Sequence, residues 1–328
     1  MILTTISGIL SFFVFYNYDS LSKILNFYDN PDKNLKNHDL KTSSAGGIFI
    51  FTLFFLIFLL DKVFEITKIE FFSTSLELNI FLLSCGFFLI FGAIDDKVKL
   101  RANFKLFIFF TFFIILCSLS NDFILNYFYT SLSVNNLNLG IISIPFSIFC
   151  YLSFTQAFNM YDGLDRQSGL LVILYLIVFY QLSNYSTFFL YILIPVIFFV
   201  IFNQKGKIFL GNAGTNFLSF FIAVLAIRFA ENDLIIAEKI FVLFAIPGYE
   251  LIRLFFVRIS NKRNPFLGDL NHIHHLLKLK LNYTKTLLII LALTFFPVIG
   301  TFLNIEIYLI IIIQLISYIA TIIYAKLY

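Results

Sequence analysis

The chain has 328 residues, 60% of them hydrophobic and 20% aromatic but only 13% charged, with 47 phenylalanines and a formal net charge of +4. Soluble domains run about 45–50% apolar and about 25% charged, and a water-facing globule of this length has too little interior to hide so much apolar surface. Its three cysteines, Cys85, Cys117 and Cys150, lie in or beside apolar runs and exclude a secreted disulfide scaffold, which leaves an all-α polytopic integral membrane protein.

A membrane span needs about 20 mostly apolar residues at about 1.5 Å each. The opening stretch MILTTISGILSFFVFY resembles a secretory leader but lacks a basic flank and a small-residue cleavage site, so it reads as a first span. In chain order the candidate spans fall near 1–20, 47–64, 78–94, 104–120, 141–158, 168–183, 187–202, 215–229, 235–255, 285–300 and 302–325, about 11 in all. Pro195 and Pro247 lie inside two of them as possible kinks. With eleven spans, 19 of the 23 basic residues and all four histidines fall on one side, leaving Lys62, Lys68, Arg228 and Lys239 on the other. That bias predicts a cytoplasmic basic side, an external N-terminus and a cytoplasmic C-terminus. The external connections are short, apart from interfacial or irregular segments around 61–77 and 121–140. No repeat or linker divides the chain, so residues 1–328 read as a single membrane-embedded domain.

Five stretches on the basic side carry polar chemistry: 23–47, 95–105, 159–169, 203–216 and 256–285. In the first, His38 and Lys41 could reach a phosphate, and a solvated loop explains them nearly as well. The second, FGAIDDKVKLRANFK, sets Asp95 beside Asp96 at the inner end of the third span. Two adjacent carboxylates beside a bilayer need a counter-cation, Mg²⁺ where a substrate brings phosphates, or raised pKa values. Ordinary pairing with Lys97, Lys99 or Lys105 is the competing reading. The third, FNMYDGLDRQSG, offers Asn159, Asp162 and Asp165 at intervals of three, which on a helix share a face, and Gly163 lets a ligand approach the backbone.

In the fourth, KIFLGNAGTNFLS, Gly211 and Gly214 bracket Asn212, and Thr215 opens the next span. A glycine-lined helix start presents backbone N–H groups to phosphate; a plain turn with Thr215 as N-cap competes, and the ending of a Walker A loop is missing. The fifth, RISNKRNPFLGDLNHIHHLLKLKL, clusters His272, His274 and His275 behind Asp269. Its basic surroundings, Lys262, Arg263, Lys278 and Lys280, suit a pyrophosphate better than zinc, which would want further ligands. Together the five stretches suit an enzyme that joins a charged phosphate donor to a lipid acceptor at one membrane face.

At these residues the sequence resembles the polyprenyl-phosphate N-acetylhexosamine-1-phosphate transferases of bacterial glycosyl transferase family 4, over nearly the whole chain. Gly92, Asp95, Asp96, Leu100 and Lys105 follow that family's GxxDDxxxLxxxxK, and Asn159, Asp162, Gly163 and Asp165 its NxxDGxDG. Gly211, Gly214 and Thr215 resemble GDxGS. Pro265, Phe266, Asp269, His272, His274 and His275 resemble the PFxxDRxHxHH of the GlcNAc-1-phosphate branch rather than the MurNAc-pentapeptide branch.

The resemblance implies transfer of an N-acetylhexosamine-1-phosphate, by default GlcNAc-1-phosphate, from a UDP-sugar to undecaprenyl phosphate. The reaction depends on Mg²⁺, with Mn²⁺ as a substitute, releases UMP and starts a cell-surface glycan. It implies a bacterial cytoplasmic (inner) membrane, an active site facing the cytoplasm, and the bilayer and both substrates as partners, with no nucleic acid; a homodimer is compatible with it. On this footing Asp95, Asp96, Asp162 and Asp165 are catalytic, Asp95 exchanging a proton with the lipid phosphate. Asp96, Asp162 and Asn212 hold the metal. His38, Lys105, Asn159, Gly211, Gly214, Thr215, Arg263, Asp269, His272, His274 and His275 bind substrate.

The chain departs from the family pattern in several places. Asn212 stands where the family has an Asp of the metal site, Arg166 where it has Gly, Leu270 where it has Arg, and Glu250 where related chains often place Asp. A catalytically impaired homologue is therefore the alternative. A transporter fits less well, because the ionisable residues sit at span ends and in loops rather than in mid-span.

Overall fold

The computed structural model describes residues 2–29, 42–64, 71–132, 136–204, 206–264, 269–303 and 305–327. Among the described residues it is all-α apart from two antiparallel pairs of two-residue strands. In chain order the elements are α1 (Ile2–Tyr16), α2 (Tyr18–Leu25), β1 (Tyr28–Asp29), β2 (Thr42–Ser43), α3 (Gly46–Phe64), α4 (Ser75–Val98) and α5 (Ala102–Leu119). Then follow β3 (Tyr127–Phe128), β4 (Leu137–Asn138), α6 (Ser143–Tyr161), α7 (Gln167–Leu182), α8 (Phe188–Phe202) and α9 (Gly211–Glu231). The chain ends with α10 (Ala237–Ser260), α11 (Ile273–Lys278), α12 (Tyr283–Gly300) and α13 (Ile307–Lys326).

Among the described residues eight helices are long and apolar enough to cross a membrane. The expected spans near 1–20, 168–183 and 187–202 appear as α1, α7 and α8, apolar helices of 15, 16 and 15 residues. Fifteen residues rise about 22 Å against a hydrocarbon core of about 30 Å, so length alone does not carry these three across. Pro195 and Pro247 lie inside α8 and α10, and both helices continue through them.

The chain divides into two compact units, residues 1–100 with 168–225 and residues 101–167 with 226–328. The first is built on aromatic packing. Phe88 and Phe220 stack at 4.4 Å, and Phe54 meets Phe188 and Phe221 edge-on at 5.6 and 5.5 Å, geometries that align ring edges with ring faces. Leu3, Ser7, Ser11 and Phe15, four apart on α1, form its buried stripe. The extended segment before α3 pairs with the one before α9: Phe209 N donates to Ser43 O at 2.7 Å, and Gly46 N and Gly47 N donate to Phe209 O and Leu210 O at 3.0 and 2.9 Å. These bonds satisfy the first orphan donors of α3.

In the second unit α10 packs with α6, α12 and α13. Phe154 and Phe244 meet at 4.3 Å, and the fully buried Gln314 of α13 donates to Val242 O and Leu293 O, both at 3.2 Å. The 121–140 stretch, expected as an interfacial or irregular segment, contains the β3–β4 hairpin. Glu231 accepts from Asn126 N and Tyr127 N at 2.7 and 3.0 Å, Glu238 accepts from Ser131 N at 2.9 Å, and Arg228 pairs with buried Asp122 at 3.2 Å. Isoleucines such as Ile312, Ile316 and Ile323 on α13, and Phe107 and Ile115 on α5, stay exposed, as faces covered by lipid would.

Candidate functional site

In the first unit α4 runs past the expected end of its span to Val98, so both acids of GAIDD are helical. Asp95 is 3% exposed, and its Oδ1 accepts from Leu100 N at 2.9 Å while its carbonyl accepts from Lys99 N at 2.9 Å. Lys99 is left-handed, at φ 53°, so Asp95 braces the turn that ends α4.

Asp96 points the other way, to the start of α9. Its Oδ1 accepts from Asn212 N at 2.9 Å and its Oδ2 from Ala213 N at 3.2 Å. The carboxylate thus caps two of the first donors of α9 and places negative charge at the positive end of the helix. With that cap α9 begins at Gly211, ahead of the expected start at 215. Gly211 has φ +72°, and a Cβ there would come within 2.5 Å of Ser44 O and 2.9 Å of Asp96 Oδ2. Gly92, one turn before Asp96, lies so close to α9 that a Cβ would fall 2.6 Å from Ala213 Cα; Gly214 faces Gly47 in the same way.

These glycines serve backbone packing, and two of the helix-start N–H groups, those of Asn212 and Ala213, are bonded to Asp96 within the unit. The half-buried Asn212 side chain remains available, with Thr215 behind it donating to Asn212 O at 3.3 Å. Asp96 spends one lone pair per oxygen on α9 and keeps the others. Hard oxygen donors of this kind fit Mg²⁺, which takes one or two protein oxygens and fills its shell with water and substrate phosphate. Among the described residues no group of three or more His, Cys, Asp or Glu forms a larger cage.

In the second unit Asn159 is on α6, but Asp162 leaves the helix at φ −75°, ψ 76°, and residues 162–166 turn before α7. The shared helix face expected for Asn159, Asp162 and Asp165 is therefore absent, because the turn at Gly163 separates them. Arg166 has φ +66°, which explains why glycine occupies this place in the related motif; a non-glycine residue there costs about 1 kcal/mol. Tyr283 Oη donates to the Asp165 carbonyl.

Gly163 packs against the His274 imidazole: a Cβ would meet the ring, with Nδ1 at 2.6 Å. Its φ is not positive, so alanine is tolerated by the backbone and its whole effect falls on that ring. Gly163→Ala is expected to lower stability by about 1–3 kcal/mol and to displace His274, read as a lower melting temperature and a shifted imidazole resonance.

The three clustered histidines lie in and beside the short helix α11, with ring centroids 5.3 Å (272–274) and 4.3 Å (274–275) apart. Burial pulls His272 down to about 4, against the opposing pull of Glu250 and Asp269. Burial and the neighbouring imidazoles hold His274 well below its usual range, and burial with Lys278 lowers His275. Lowered basicity favours the neutral imidazoles, which offer N–H donors; an anion placed among them would raise their basicity. Among the described residues His272 Nδ1 is buried without a partner. Burial raises the Asp269 carboxyl, but hydrogen bonds from Arg258 Nε at 2.8 Å and Asn271 N at 2.8 Å outweigh it and hold it below the usual range.

The structure brings Asp95, Asp96, Gly211, Asn212, Gly214 and Thr215 together in the first unit. It groups Asp162, Gly163, Asp165, Asp269 and the histidine cluster in the second. Lys105 is half-buried on α5 and Arg263 is exposed. His38, Lys41, Pro265 and Phe266 lie outside the described residues. Sequence reasoning missed Arg253, Arg258 and Tyr318 and noted Glu250 only as a departure. An acid and an arginine three apart inside an apolar helix was the available signal.

Residues 78–230 match the family described as Glycosyl transferase family 4. The chain is 29% identical to the undecaprenyl-phosphate alpha-N-acetylglucosaminyl 1-phosphate transferase of Thermotoga maritima, over 87% of this chain and 84% of that protein. It is 26% identical to a protein of Bacillus subtilis (strain 168) named "Probable undecaprenyl-phosphate N-acetylglucosaminyl 1-phosphate transferase", over 81% of this chain and 74% of that one. The Escherichia coli O157:H7 undecaprenyl-phosphate alpha-N-acetylglucosaminyl 1-phosphate transferase is 23% identical over 61% of this chain and 58% of its own length.

Proposed function

We propose that this chain, as a member of glycosyl transferase family 4, transfers GlcNAc-1-phosphate from UDP-GlcNAc to undecaprenyl phosphate, releases UMP and starts a cell-surface glycan. Its site faces the cytoplasm of a bacterial cytoplasmic membrane, and eleven spans acting as one domain complete the reading. The carrying observation is the hydrogen bonding of Asp96 to Asn212 and Ala213, which joins two of the motifs across more than a hundred residues. A carboxylate and an amide at one helix start are what a phosphate-bound Mg²⁺ needs from the protein. The pattern of residues around His272 supports the GlcNAc-1-phosphate branch within this reading.

In this reading Asp96 and Asn212 would hold the metal, whose charge would offset the repulsion between donor and acceptor phosphates. Asp95 keeps the end of α4 in place beneath Asp96. The neutral imidazoles of His272, His274 and His275 donate to the pyrophosphate of the donor, where preorganised N–H groups act without reorganisation as charge moves to the leaving UMP. Exposed Arg263 and half-buried Lys105 add positive charge along the approach, and Asp165 orders the turn beside the histidines.

The test uses the full chain in lipid nanodiscs with undecaprenyl phosphate and a panel of UDP-N-acetylhexosamines, following UMP release and the lipid product by mass spectrometry. Sugar-pyrophosphoryl lipid that vanishes with EDTA and returns with Mg²⁺ is expected, from UDP-GlcNAc first. No product from any donor, in protein that melts cooperatively, would overturn the assignment.

A further inference from the structure

One buried ion pair has no place in that chemistry and touches the histidine segment from both sides. Glu250 of α10 is 1% exposed. Its Oε1 accepts from Arg253 Nη2 and from Ile273 N, both at 2.7 Å, and its Oε2 accepts from Arg253 Nε at 3.0 Å and Tyr318 Oη at 2.6 Å. Arg253 Nη2 also donates to Asn271 O at 2.6 Å. The amide that follows His272 and the carbonyl that precedes it are therefore both held by this one pair. Farther along α10, Arg258 holds Asp269, which in turn accepts from Asn271 N. Three backbone groups beside His272, the Asn271 N–H and carbonyl and the Ile273 N–H, are thus referred to a single helix, the first of them through Asp269.

A buried ion pair is weak evidence for stability, since apolar residues of similar volume serve as well; breaking one partner, by contrast, leaves the other uncompensated. What charged groups add here is direction, because each oxygen and each guanidinium nitrogen fixes a bond angle as well as a distance. Tyr318 is a buried residue of α13, a helix otherwise turned mostly outward. Its hydroxyl reaches Glu250 and also accepts from Arg253 Nε at 3.1 Å, so the last helix takes part in the same node.

We propose that Glu250, with Arg253 and Tyr318, is a positioning device that sets the His272 imidazole, and the stacked His274 beside it, for the phosphates of the donor. This rests on the transferase reading above. Glu250 touches no reacting atom in this assignment and acts through the backbone on either side of His272.

The experiment compares wild type, Glu250→Gln and Tyr318→Phe as full chains in nanodiscs, with ¹⁵N-histidine labelling for the imidazole resonances and UDP-GlcNAc titrations for KM and kcat. A misplacement of about 1 Å costs about 100-fold in rate, and the loss of one hydrogen bond to a charge costs about 10-fold. We expect kcat/KM to fall about 100-fold in Glu250→Gln and about 10-fold in Tyr318→Phe. In both, the His272 resonance should move while the far smaller Tyr318→Phe change leaves the melting temperature within about 3 °C of wild type. A His272 resonance that stays in place in Tyr318→Phe, or rates that fall only in step with folded protein, would overturn the proposal. If the wild type transfers no sugar, the transferase reading fails, and the histidine resonances still decide whether the node sets the ring.

Discussion

Asp96→Ala is expected to cut product formation by about 1,000-fold or more, and to loosen the fold as well. In the native chain one carboxylate caps the Asn212 and Ala213 amides and keeps lone pairs for a metal. Alanine removes both functions. Two N–H groups at the start of α9 lose their acceptor, at about 1–3 kcal/mol for each that stays dry. Removing one preorganised charged group at a phosphoryl-transfer site costs about 10²–10³ in rate, and misplacing Asn212 adds to that. Asp96→Asn separates the two effects: its single carbonyl oxygen caps one amide, so part of the stability returns, but the charge is gone. The expected result is a melting temperature between those of wild type and Asp96→Ala, with transfer lost in both variants. An Asn variant that keeps activity within about threefold of wild type would reduce Asp96 to a helix cap.

The cap that Asp96 puts on α9 marks the limit of what the sequence alone makes legible. The long apolar runs place helices within a few residues, because hydropathy and a length near 20 residues leave few other solutions. Their ends are set by individual side chains. α4 continues through Asp95 and Asp96 because Lys99 can take the left-handed conformation and Leu100 finds the Asp95 carboxylate. α9 starts early because a residue 116 positions away caps it. The glycines illustrate the same point. A glycine beside Asn212 reads locally as a phosphate cradle, but only the fold shows Gly92 pressed against Ala213 and Gly214 against Gly47. Likewise the even spacing of Asn159, Asp162 and Asp165 suggests a helix face that the turn at Gly163 removes. Tyr318 carries no signal at all, since a tyrosine in a terminal apolar helix looks like an interfacial residue until Glu250 is found beside it.

Asn212→Asp is expected to raise transfer by about 10- to 100-fold at low Mg²⁺ and to narrow to a smaller gain at saturating metal. An amide oxygen can ligate the ion but brings no charge, whereas a second carboxylate at the start of α9 lets two anions share one cation. The first turn of a helix favours an acid by about 0.3–1 kcal/mol, and against this stands repulsion from Asp96, whose Oδ1 lies 2.9 Å from the residue 212 amide. The balance depends on the metal, which gives the prediction a second readout. Without Mg²⁺ the variant should melt below the wild type, and with Mg²⁺ it should melt above it. A silent wild type beside an active Asn212→Asp chain would mean that one substitution has disarmed an otherwise complete site. An active wild type unchanged by the aspartate would show that the amide suffices and that substrate phosphates supply the charge. If both chains are silent and Mg²⁺ moves neither melting curve, Asn212 is no metal ligand, and the non-catalytic homologue becomes the better description of this membrane protein.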